Sequence, residues 1–389
     1  MPAEAPFASV SARTRWAGAA MLLLGLVGPS WGPALVPARA EFHLGLITAG
    51  TLVLIFGIAR TAGSALAGAA SDRLARRSLV LCYGVLLVGA LAGVASSRSW
   101  AAVLAWAAGI GVAFGCLATE ANAVAALGGL ATRARDLNLV NAAYGLGASL
   151  GPLALGLLLA ARLGWRSAFG VWALLAVVPL WGLALAVQGR AERPRPLRAP
   201  GLGALALARQ PAVLTLAGMA FLYNGIGWTI STWAPTWLVT RFSAHLLTGA
   251  AGSTAFYACL TVGRLGDAAL AARLPPGRVM WVQALGAGAA LLGLALAPSA
   301  AWALVAFGAA GLALGGIYPN LVAQAAALHP ERPGAMSGVI ATGGSVGVSL
   351  VPFAAAIVGR AGGPQAMGWT LPVLGLALIG LARLTLRRS

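Results

Sequence analysis

Charged side chains are rare in this sequence, and those that occur are grouped. Only 9% of the 389 residues are charged, yet the stretch GSALAGAASDRLARR, residues 63–77, contains one acid and three arginines. An Asp at the end of a helix can accept hydrogen bonds from the first amides of a neighbouring helix and pair with Arg. An ordinary group of flanking charges is the alternative. We predict an electrostatic latch formed by Gly68, Asp72, Arg73, Arg76 and Arg77.

Two further charges, Arg60 and Glu120, stand inside long apolar stretches. At about 1.5 Å per residue, both lie roughly 18–20 Å from the charges that follow them, Asp72 and Arg133. An isolated charge at that depth in a membrane is costly, so we expect the two to form an ion pair. Protonation of Glu120, or an anionic substrate at Arg60, would break this pair during a functional cycle. A fixed pair that only orients two helices is the alternative.

Side chains for enzymatic or metal chemistry are not clustered in the sequence. There is no His-Glu-x-x-His motif and no pair of carboxylates within one apolar stretch. Cys82, Cys116 and Cys259 all lie in apolar stretches, and no two of them have the spacing of metal ligands. We therefore expect no enzymatic activity, no metal and no cofactor.

The segments that carry these residues are long and apolar. Hydrophobic residues make up 60% of the chain, and the charged fraction is far below the roughly 25% of an ordinary soluble domain. Stretches of about 20 apolar residues, the length that crosses a bilayer as a helix, follow one another along the chain. We predict a multi-pass membrane protein with twelve transmembrane helices at 16–36, 44–68, 79–95, 101–125, 138–160, 168–188, 212–235, 246–266, 279–297, 301–324, 337–358 and 368–386.

The formal charge of +18 arises from 26 basic residues, all of them Arg, and their distribution predicts orientation. If the N-terminus is cytoplasmic, most arginines, Arg264 among them, fall at the inner face, as the positive-inside rule requires. Six fall outside: Arg39, Arg98, Arg162, Arg166, Arg241 and Arg360. We therefore predict a protein of the inner, cytoplasmic membrane with both termini in the cytoplasm, and no nucleic-acid partner.

The second part of the chain repeats features of the first. GRLGD, 195 residues after GAASD, has the same Gly-to-Asp spacing, which extends the predicted latch to Gly263 and Asp267. Other pairs lie 200 residues apart: GASLGP at 147–152 and GVSLVP at 347–352, Gly111 and Gly311, and Gly115 and Gly315. Such a duplication between two groups of six helices is typical of transporters.

A Pro- and Arg-rich stretch, QGRAERPRPLRAPG, interrupts the apolar pattern at 188–201. Such a composition favours a loop over a membrane helix. The predicted domains are an N-terminal six-helix bundle at 1–187, a cytoplasmic linker at 188–211 and a C-terminal six-helix bundle at 212–389.

The stretch after the second predicted helix resembles the loop between helices 2 and 3 of the major facilitator superfamily. It contains Gly68, the pair Asp72-Arg73 and the basic residues that follow them. LNLVNAAYGLGASLGP (137–152), FLYNGIGWTISTWAPTWL (221–238) and the segment 311–347 are similar to parts of its fucose permease-like branch of sugar:proton symporters.

This resemblance implies an all-α membrane protein with two pseudo-symmetric six-helix bundles, which the latch joins at the cytoplasmic side. It also implies a monomer in the lipid bilayer that transports a small molecule by alternating access, together with a proton. The sequence departs from the branch at two positions, because Ala118 and Gly227 stand where relatives carry Glu.

In this superfamily the first, fourth, seventh and tenth helices line the cavity. GPSWGP at 28–33 and GIGWTISTWAP at 225–235 interrupt two of them, and such interruptions are tolerated beside protein or a wet cavity. Aromatic faces with a few amides suit a sugar or another small polar solute, although Trp is also an interfacial anchor. The candidate substrate-binding residues are Trp31, Asn122, Asn141, Asn224, Trp228, Trp233, Tyr318, Asn320 and Gln324.

Other functions of the same architecture stay open at this point. Efflux of amphiphilic or drug-like compounds and transport of organic anions both compete with uptake of a sugar-like solute. A membrane sensor that no longer moves solute is a third alternative, which predicts a missing latch and a large soluble appendage.

Overall fold

The computed structural model describes residues 10–71, 74–127, 130–187, 207, 209–271, 273–329 and 332–386, and the regular elements among them are helices. The first half contains α1 (Ala12–Glu41), α2 (Leu46–Ser71), α3 (Arg76–Ser96), α4 (Trp100–Ala125), α5 (Leu130–Ala160) and α6 (Trp165–Ala186). The second half contains α7 (Pro211–Phe242), α8 (Leu246–Ala271), α9 (Pro276–Ala295), α10 (Ala300–Leu314), α11 (Ile317–Leu328) and α12 (Pro333–Leu386). Most of the predicted linker at 188–211 lies outside the described residues.

Eleven helical stretches of the described chain are long and apolar enough to cross a membrane. One of them, Ala300–Leu328, is α10 and α11 together, interrupted at Gly315 and Gly316. Another, α12, has 54 residues, and a straight helix of that length would be about 80 Å long, more than twice the hydrocarbon core. It consists of two helices joined at Gly363, whose φ of 75° is a left-handed conformation suited to Gly. The predicted segments therefore fall on these eleven helical stretches, the last two of them on the two arms of α12.

Serine residues begin several of these helices. The Ser11 hydroxyl accepts a hydrogen bond from the Thr14 amide at 3.1 Å. The hydroxyls of Ser99 and Ser299 accept in the same way from the third residue after each, at 3.3 Å. Each serine satisfies an amide that has no partner within the helix. Ser99 and Ser299 lie 200 residues apart, so the internal repeat includes the starts of α4 and α10.

The two halves meet through a limited set of helices. In the first half α1 packs on α5, and α2 packs on α4; in the second half α7 packs on α12, and α8 packs on α10. Between the halves, α5 packs on α8, α2 on α12 and α1 on α7. The terminal face is our name for the end of the bundle at which α1 begins and α2 ends. The distal face is the opposite end, at which α1 ends and α2 begins.

Glycines set the same close approaches in both halves, at an offset of 200 residues. A methyl group built on Gly111 would lie 2.6 Å from the backbone oxygen of Phe56, and one on Gly311 would overlap the backbone oxygen of Phe256. Gly147 of α5 meets the α1 backbone as Gly347 of α12 meets the α7 backbone. Small residues of this kind let membrane helices approach until their backbones touch. The repeat predicted from Gly111 and Gly311 is therefore a repeat of helix packing.

Each half is also held together at the distal face by one arginine. Arg166 binds Glu41 through two hydrogen bonds of 2.7 Å and donates to the backbone oxygen of Ser97 at 2.7 Å. In the second half Arg241 binds Gln365 and donates to the backbone oxygen of Ala297 at 3.3 Å. Position 241 lies 200 residues after position 41. The second half therefore repeats this contact with the arginine on the other helix: Arg241 lies at the end of α7 and binds Gln365, whereas Glu41 ends α1 and binds Arg166.

The halves separate toward the terminal face. Near the distal face, a methyl group on Gly50 of α2 would lie 3.0 Å from Ala356 of α12, and Gly57, two turns farther along, meets Ser349. Two turns farther still, Ser64 and Thr342 are both exposed, and the Ser64 hydroxyl donates to the backbone oxygen of Gly115 of α4 at 3.3 Å instead of meeting α12. The contact between α2 and α12 therefore ends midway, and we call the region between the halves beyond it, toward the terminal face, the crevice.

Candidate functional site

A cluster of rings surrounds Arg60 where the two halves meet. The guanidinium carbon of Arg60 lies 5.0 Å from the ring centre of Phe114 and 5.6 Å from that of Trp228, which belongs to the second half. The Phe56 ring lies 5.6 Å from Phe114 and 5.5 Å from Trp228. Tyr144 adds an edge contact to Phe114 at 6.2 Å. We call these five residues the central cluster.

A second group lies on the other side of the crevice, within the second half. Tyr223 of α7 and Tyr318 of α11 stack with ring centres 5.6 Å apart. Arg264 of α8 donates a hydrogen bond to the Tyr223 hydroxyl at 3.1 Å. We call Tyr223, Arg264 and Tyr318 the tyrosine group. Arg60, Tyr144, Arg264 and Tyr318 are partly exposed, whereas the rings of Phe56, Phe114, Tyr223 and Trp228 are buried where the helices meet.

Small residues on α1 and α7 leave room for this arrangement. A methyl group on Gly28 would lie 3.2 Å from the Phe114 ring and 3.5 Å from the Trp228 ring. A methyl group on Gly227 would meet the Phe256 ring at an ordinary 3.6 Å. Gly28 therefore permits α1 to sit directly against the rings that contact Arg60.

Three of the predicted substrate-binding residues lie at these two groups. Trp228 belongs to the central cluster, and Tyr318 belongs to the tyrosine group. Asn224 lies one turn from Trp228 on α7, half-exposed, and its amide nitrogen donates to the backbone oxygen of Ala220 at 3.0 Å.

Two predicted tryptophans are used for packing instead. Trp31 is buried against Phe169 of α6, with ring centres 4.5 Å apart, so it faces the interior of the first half. Trp233 donates its indole hydrogen to the backbone oxygen of Pro352 at 2.8 Å, which ties α7 to α12. The interrupted stretches around these residues indicated a wet cavity, but protein surrounds both side chains.

The predicted amides form contacts of their own. Asn141 of α5 donates to the Asn122 side chain of α4 at 3.1 Å, and Asn141 is exposed. Asn320 donates to both carboxylate oxygens of Asp267 at 3.0 Å and is buried. Gln324, one turn beyond Asn320, has a buried side-chain oxygen without a described partner.

The predicted ion pair between Arg60 and Glu120 is wrong. Glu120 is 1% exposed, and its nearest cation is Arg76, the first residue of α3, at 3.5 Å. The depth estimate failed because α4 ends at Ala125, whereas the marker chosen for it, Arg133, already belongs to α5. Glu120 therefore lies about one and a half turns from the end of its helix, and Arg60 about three turns from the end of α2.

The predicted latch residues lie in several different environments. Asp72 and Arg73 lie outside the described residues, Arg77 is exposed, and a methyl group on Gly68 would meet nothing within 4 Å. Arg76 is occupied by Glu120 within the first half.

Asp267 and Gly263 contact only their own half in the geometry described. Asp267 accepts hydrogen bonds from Gln283 of α9 at 2.8 Å and from Asn320 of α11. Gly263 packs on the backbone of Leu312 of α10. Its carboxylate links α8, α9 and the start of α11, where a carboxylate is favoured by the helix dipole, and the part of Asp267 in a latch stays a prediction.

Arg264 and four rings of the two groups were missed by the sequence prediction. Arg264 was assigned to the inner face, although the predicted span 246–266 already contained it, and that inconsistency was the available signal. Phe56, Phe114, Tyr144 and Tyr223 gave no signal beyond being aromatic residues in apolar helices. Within the described ranges, no three His, Cys, Asp or Glu side chains come together as a metal site requires.

Solved structures share this fold at low sequence identity. A mutant of the nucleoside transporter NupG is 13% identical, with a TM-score of 0.79 over 96% of this chain and 99% of that chain. A D-xylose-proton symporter is 16% identical, with a TM-score of 0.76 over 95% and 96%. The human organic anion transporter MFSD10 (TETRAN) is 21% identical, with a TM-score of 0.66 over 95% and 98%.

A sequence search of curated proteins finds no match. The Major Facilitator Superfamily model, in contrast, matches residues 17–352, which cover most of each half and include both groups of the candidate site. This match covers most of the chain, and the shared fold agrees with it. The chain is a multi-pass membrane transporter and belongs to the Major Facilitator Superfamily.

Proposed function

We propose that the protein moves a small solute across the cytoplasmic membrane by alternating access. The observation that supports this most strongly is the composition of the central cluster, in which Phe56 and Arg60 of the first half contact Trp228 of the second. A solute bound there touches both halves, so rocking of one half against the other changes the side from which the solute is reached.

The proposal includes an orientation and a conformational state. Twelve crossings, with the two arms of α12 counted separately, place both termini at the terminal face, and the excess of arginines makes that face cytoplasmic. The halves at 1–187 and 212–389, joined by a cytoplasmic linker, are the two moving bodies. Because the crevice opens to the terminal face, the structure corresponds to the inward-facing state in this orientation.

The latch belongs to the opposite, outward-facing state in this proposal. Asp72 and Arg73 follow α2, whose terminal end is apart from α12 in the present state, as the exposure of Ser64 and Thr342 indicates. Closing the crevice at the terminal face would bring these charges to the second half.

The solute class we propose is a small molecule with a ring and polar substituents. The stacked rings of the two groups support it, because aromatic faces bind the flat or apolar face of a ring while hydroxyls and amides fix its polar groups. Sugar-like solutes agree with the nucleoside and the D-xylose for which two structures of the same fold are named, and with the resemblance to the fucose permease-like branch. An organic anion with such a ring belongs to the same class, and exported amphiphilic compounds are the competing class.

Proton coupling is a separate part of the proposal and has no assigned residue. The described carboxylates are bound away from the two groups, and Glu120 is removed from Arg60. An imposed pH gradient tests this part: accumulation that follows the gradient supports coupling, and accumulation indifferent to it contradicts coupling.

Counterflow in proteoliposomes tests the function itself. Liposomes preloaded with an unlabelled solute are diluted into its labelled form, with sugars, nucleosides, organic anions and lipophilic cations as the panel. Transient accumulation of one class above that in protein-free liposomes is expected. Absence of counterflow for every class contradicts the proposed function.

A further inference from the structure

Two arginines lie deep in the membrane helices, one in each half. Arg60 lies about three turns before the end of α2, and Arg264 about two turns before the end of α8, the counterpart helix of the second half. Both are half-buried, so neither is an ordinary surface arginine. A cation at this depth is expensive unless its charge is balanced, and intramembrane charges commonly mark substrate paths.

Neither arginine has a carboxylate partner among the described residues. Arg60 contacts only rings, Phe114 and Trp228. Arg264 donates to the neutral hydroxyl of Tyr223, and its Nε is buried without a partner. Contacts with rings and hydroxyls stabilise a guanidinium but leave its net charge in place.

The carboxylates of the described residues are bound elsewhere. The chain has eight acidic residues, of which four lie in the described part. Glu41 binds Arg166, Glu120 binds Arg76, and Asp136 binds Arg135. Asp267 accepts hydrogen bonds from the side-chain amides of Gln283 and Asn320. The other four acidic residues lie outside the described residues: Glu4, Asp72, Glu192 and Glu331. None of these four positions falls within α2 or α8, the helices that carry the two arginines.

Both arginines act on the same part of the crevice. Tyr144 contacts the Phe114 ring that lies against Arg60. The next residue, Gly145, faces α8 so closely that an added methyl group would lie 2.7 Å from the Thr261 hydroxyl, and Arg264 follows Thr261 by about one turn. Two cations that face one space of low polarity repel each other, and an anion placed between them would remove that repulsion and satisfy their unused N–H groups.

We propose that the transported solute carries a negatively charged group, a carboxylate or a phosphate, which Arg60 and Arg264 bind from opposite halves. This inference rests on the proposed function and names the substrate class of the same site. A guanidinium binds either anion through two parallel hydrogen bonds, and the hydroxyls of Tyr223 and Tyr318 add neutral donors. The rings of Phe56 and Trp228 hold the apolar or ring-shaped remainder of the solute.

The arrangement also gives the anion a part in the transport cycle. An anion bound to Arg60 and Arg264 bridges α2 and α8, and so draws together two halves that otherwise repel each other at this point. Binding therefore favours closure of the crevice, which a neutral solute of the same shape would favour less.

The experiment is counterflow with matched charged and uncharged solutes. Benzoate and phenyl phosphate are the anionic probes and distinguish the two kinds of anion, while benzyl alcohol, xylose and uridine are the uncharged probes. We expect wild-type protein to exchange at least one anionic probe. Arg60→Gln and Arg264→Gln are each expected to raise the KM for that probe by about 10- to 100-fold, as loss of a charge-assisted hydrogen bond does.

Matched variants separate binding from folding. Arg278→Gln removes an exposed arginine of the second half and is expected to keep the wild-type KM. Arg60→Lys and Arg264→Lys keep the charge and are expected to retain part of the exchange, while size-exclusion profiles show whether each variant is folded.

Each outcome has a distinct meaning. Exchange of uncharged probes alone, with KM unchanged in both Gln variants, overturns the inference and leaves the proposed function standing. Exchange of no probe by wild-type protein contradicts the proposed function, and the inference falls with it. Exchange of an anion that is insensitive to both Gln variants also overturns the inference.

Discussion

Glu120 and Arg76 form an ion pair of 3.5 Å between α4 and α3, and both belong to the first half. The carboxylate is 1% exposed, and the arginine side chain is 16% exposed. This pair therefore joins two helices that move together, and it lies apart from the crevice in which Arg60 stands.

Glu120→Gln is expected to lower the stability of the protein without changing how it responds to a pH gradient. The substitution leaves the Arg76 charge buried without a counter-charge, which costs about 1–3 kcal/mol. Thermal unfolding in detergent measures the loss, and a pH-jump transport assay measures the coupling.

The double variant Arg76→Gln with Glu120→Gln is the control for this prediction. It removes both charges, so we expect it to be more stable than the sum of the two single losses implies. Additive losses, or loss of pH-driven accumulation in Glu120→Gln, would contradict the structural role assigned to the pair.

Asp267→Asn is expected to destabilise the junction of α8, α9 and α11. The carboxylate accepts from Gln283 at 2.8 Å and from Asn320 at 3.0 Å, and an amide in its place turns a donor toward those donors. We expect a loss of about 1.5–3 kcal/mol, seen as earlier thermal unfolding.

The exchange variant Asp267→Asn with Asn320→Asp provides a matched control for that prediction. It places one carboxylate and one amide back into the same space, so it is expected to recover part of the lost stability. An exchange variant that unfolds no later than Asp267→Asn alone would show that this hydrogen-bonded contact is unimportant.

Gly111→Ala and Gly311→Ala are expected to destabilise the two halves to a similar extent. A methyl group on Gly111 would lie 2.6 Å from the Phe56 backbone oxygen, and one on Gly311 would overlap that of Phe256. Separating the helices to make room costs about 1–3 kcal/mol. Gly266→Ala is the control, because nothing lies within 4 Å of its added methyl group. Equal unfolding temperatures for all three variants would contradict the repeat of helix packing.

The fold was largely predictable from the sequence, because bilayer thickness fixes the length of an apolar helix and a duplicated glycine pattern fixes which helices touch. Gly111 and Gly311 are examples: their spacing gave the repeat, and the structure gives each the same backbone contact. Helix ends were less certain: the sequence predicted a break over 359–367, whereas the structure confines it to the turn at Gly363.

The site was less predictable, because a helix pattern does not tell which neighbour a side chain meets. Trp228 and Trp31 stand in similar interrupted stretches, yet Trp228 meets Arg60 and Trp31 packs on Phe169. Glu120 was assigned to the wrong arginine because its depth was measured from Arg133, which belongs to α5 and not to α4.

Cysteine accessibility tests the orientation and the open side of the crevice. In a variant whose three native cysteines are replaced by Ser, Thr342→Cys is expected to react with an impermeant maleimide from the cytoplasmic side only. Arg98→Cys, exposed at the distal face, is expected to react from outside, and Ala356→Cys, which is buried, from neither side. Reaction of Thr342→Cys from outside, before any solute is added, would contradict the inward-facing state.

Counterflow by variants of the central cluster tests most directly whether the two halves form one transport site. Phe56→Ala of the first half and Trp228→Ala of the second remove the two rings that face each other at 5.5 Å, and Trp181→Ala removes an exposed ring of α6. For whichever solute the wild-type protein exchanges, we expect both cluster variants to lose at least tenfold in kcat/KM, about 1.4 kcal/mol, while Trp181→Ala keeps it. Wild-type exchange rates in both Phe56→Ala and Trp228→Ala would show that the solute does not pass between these residues.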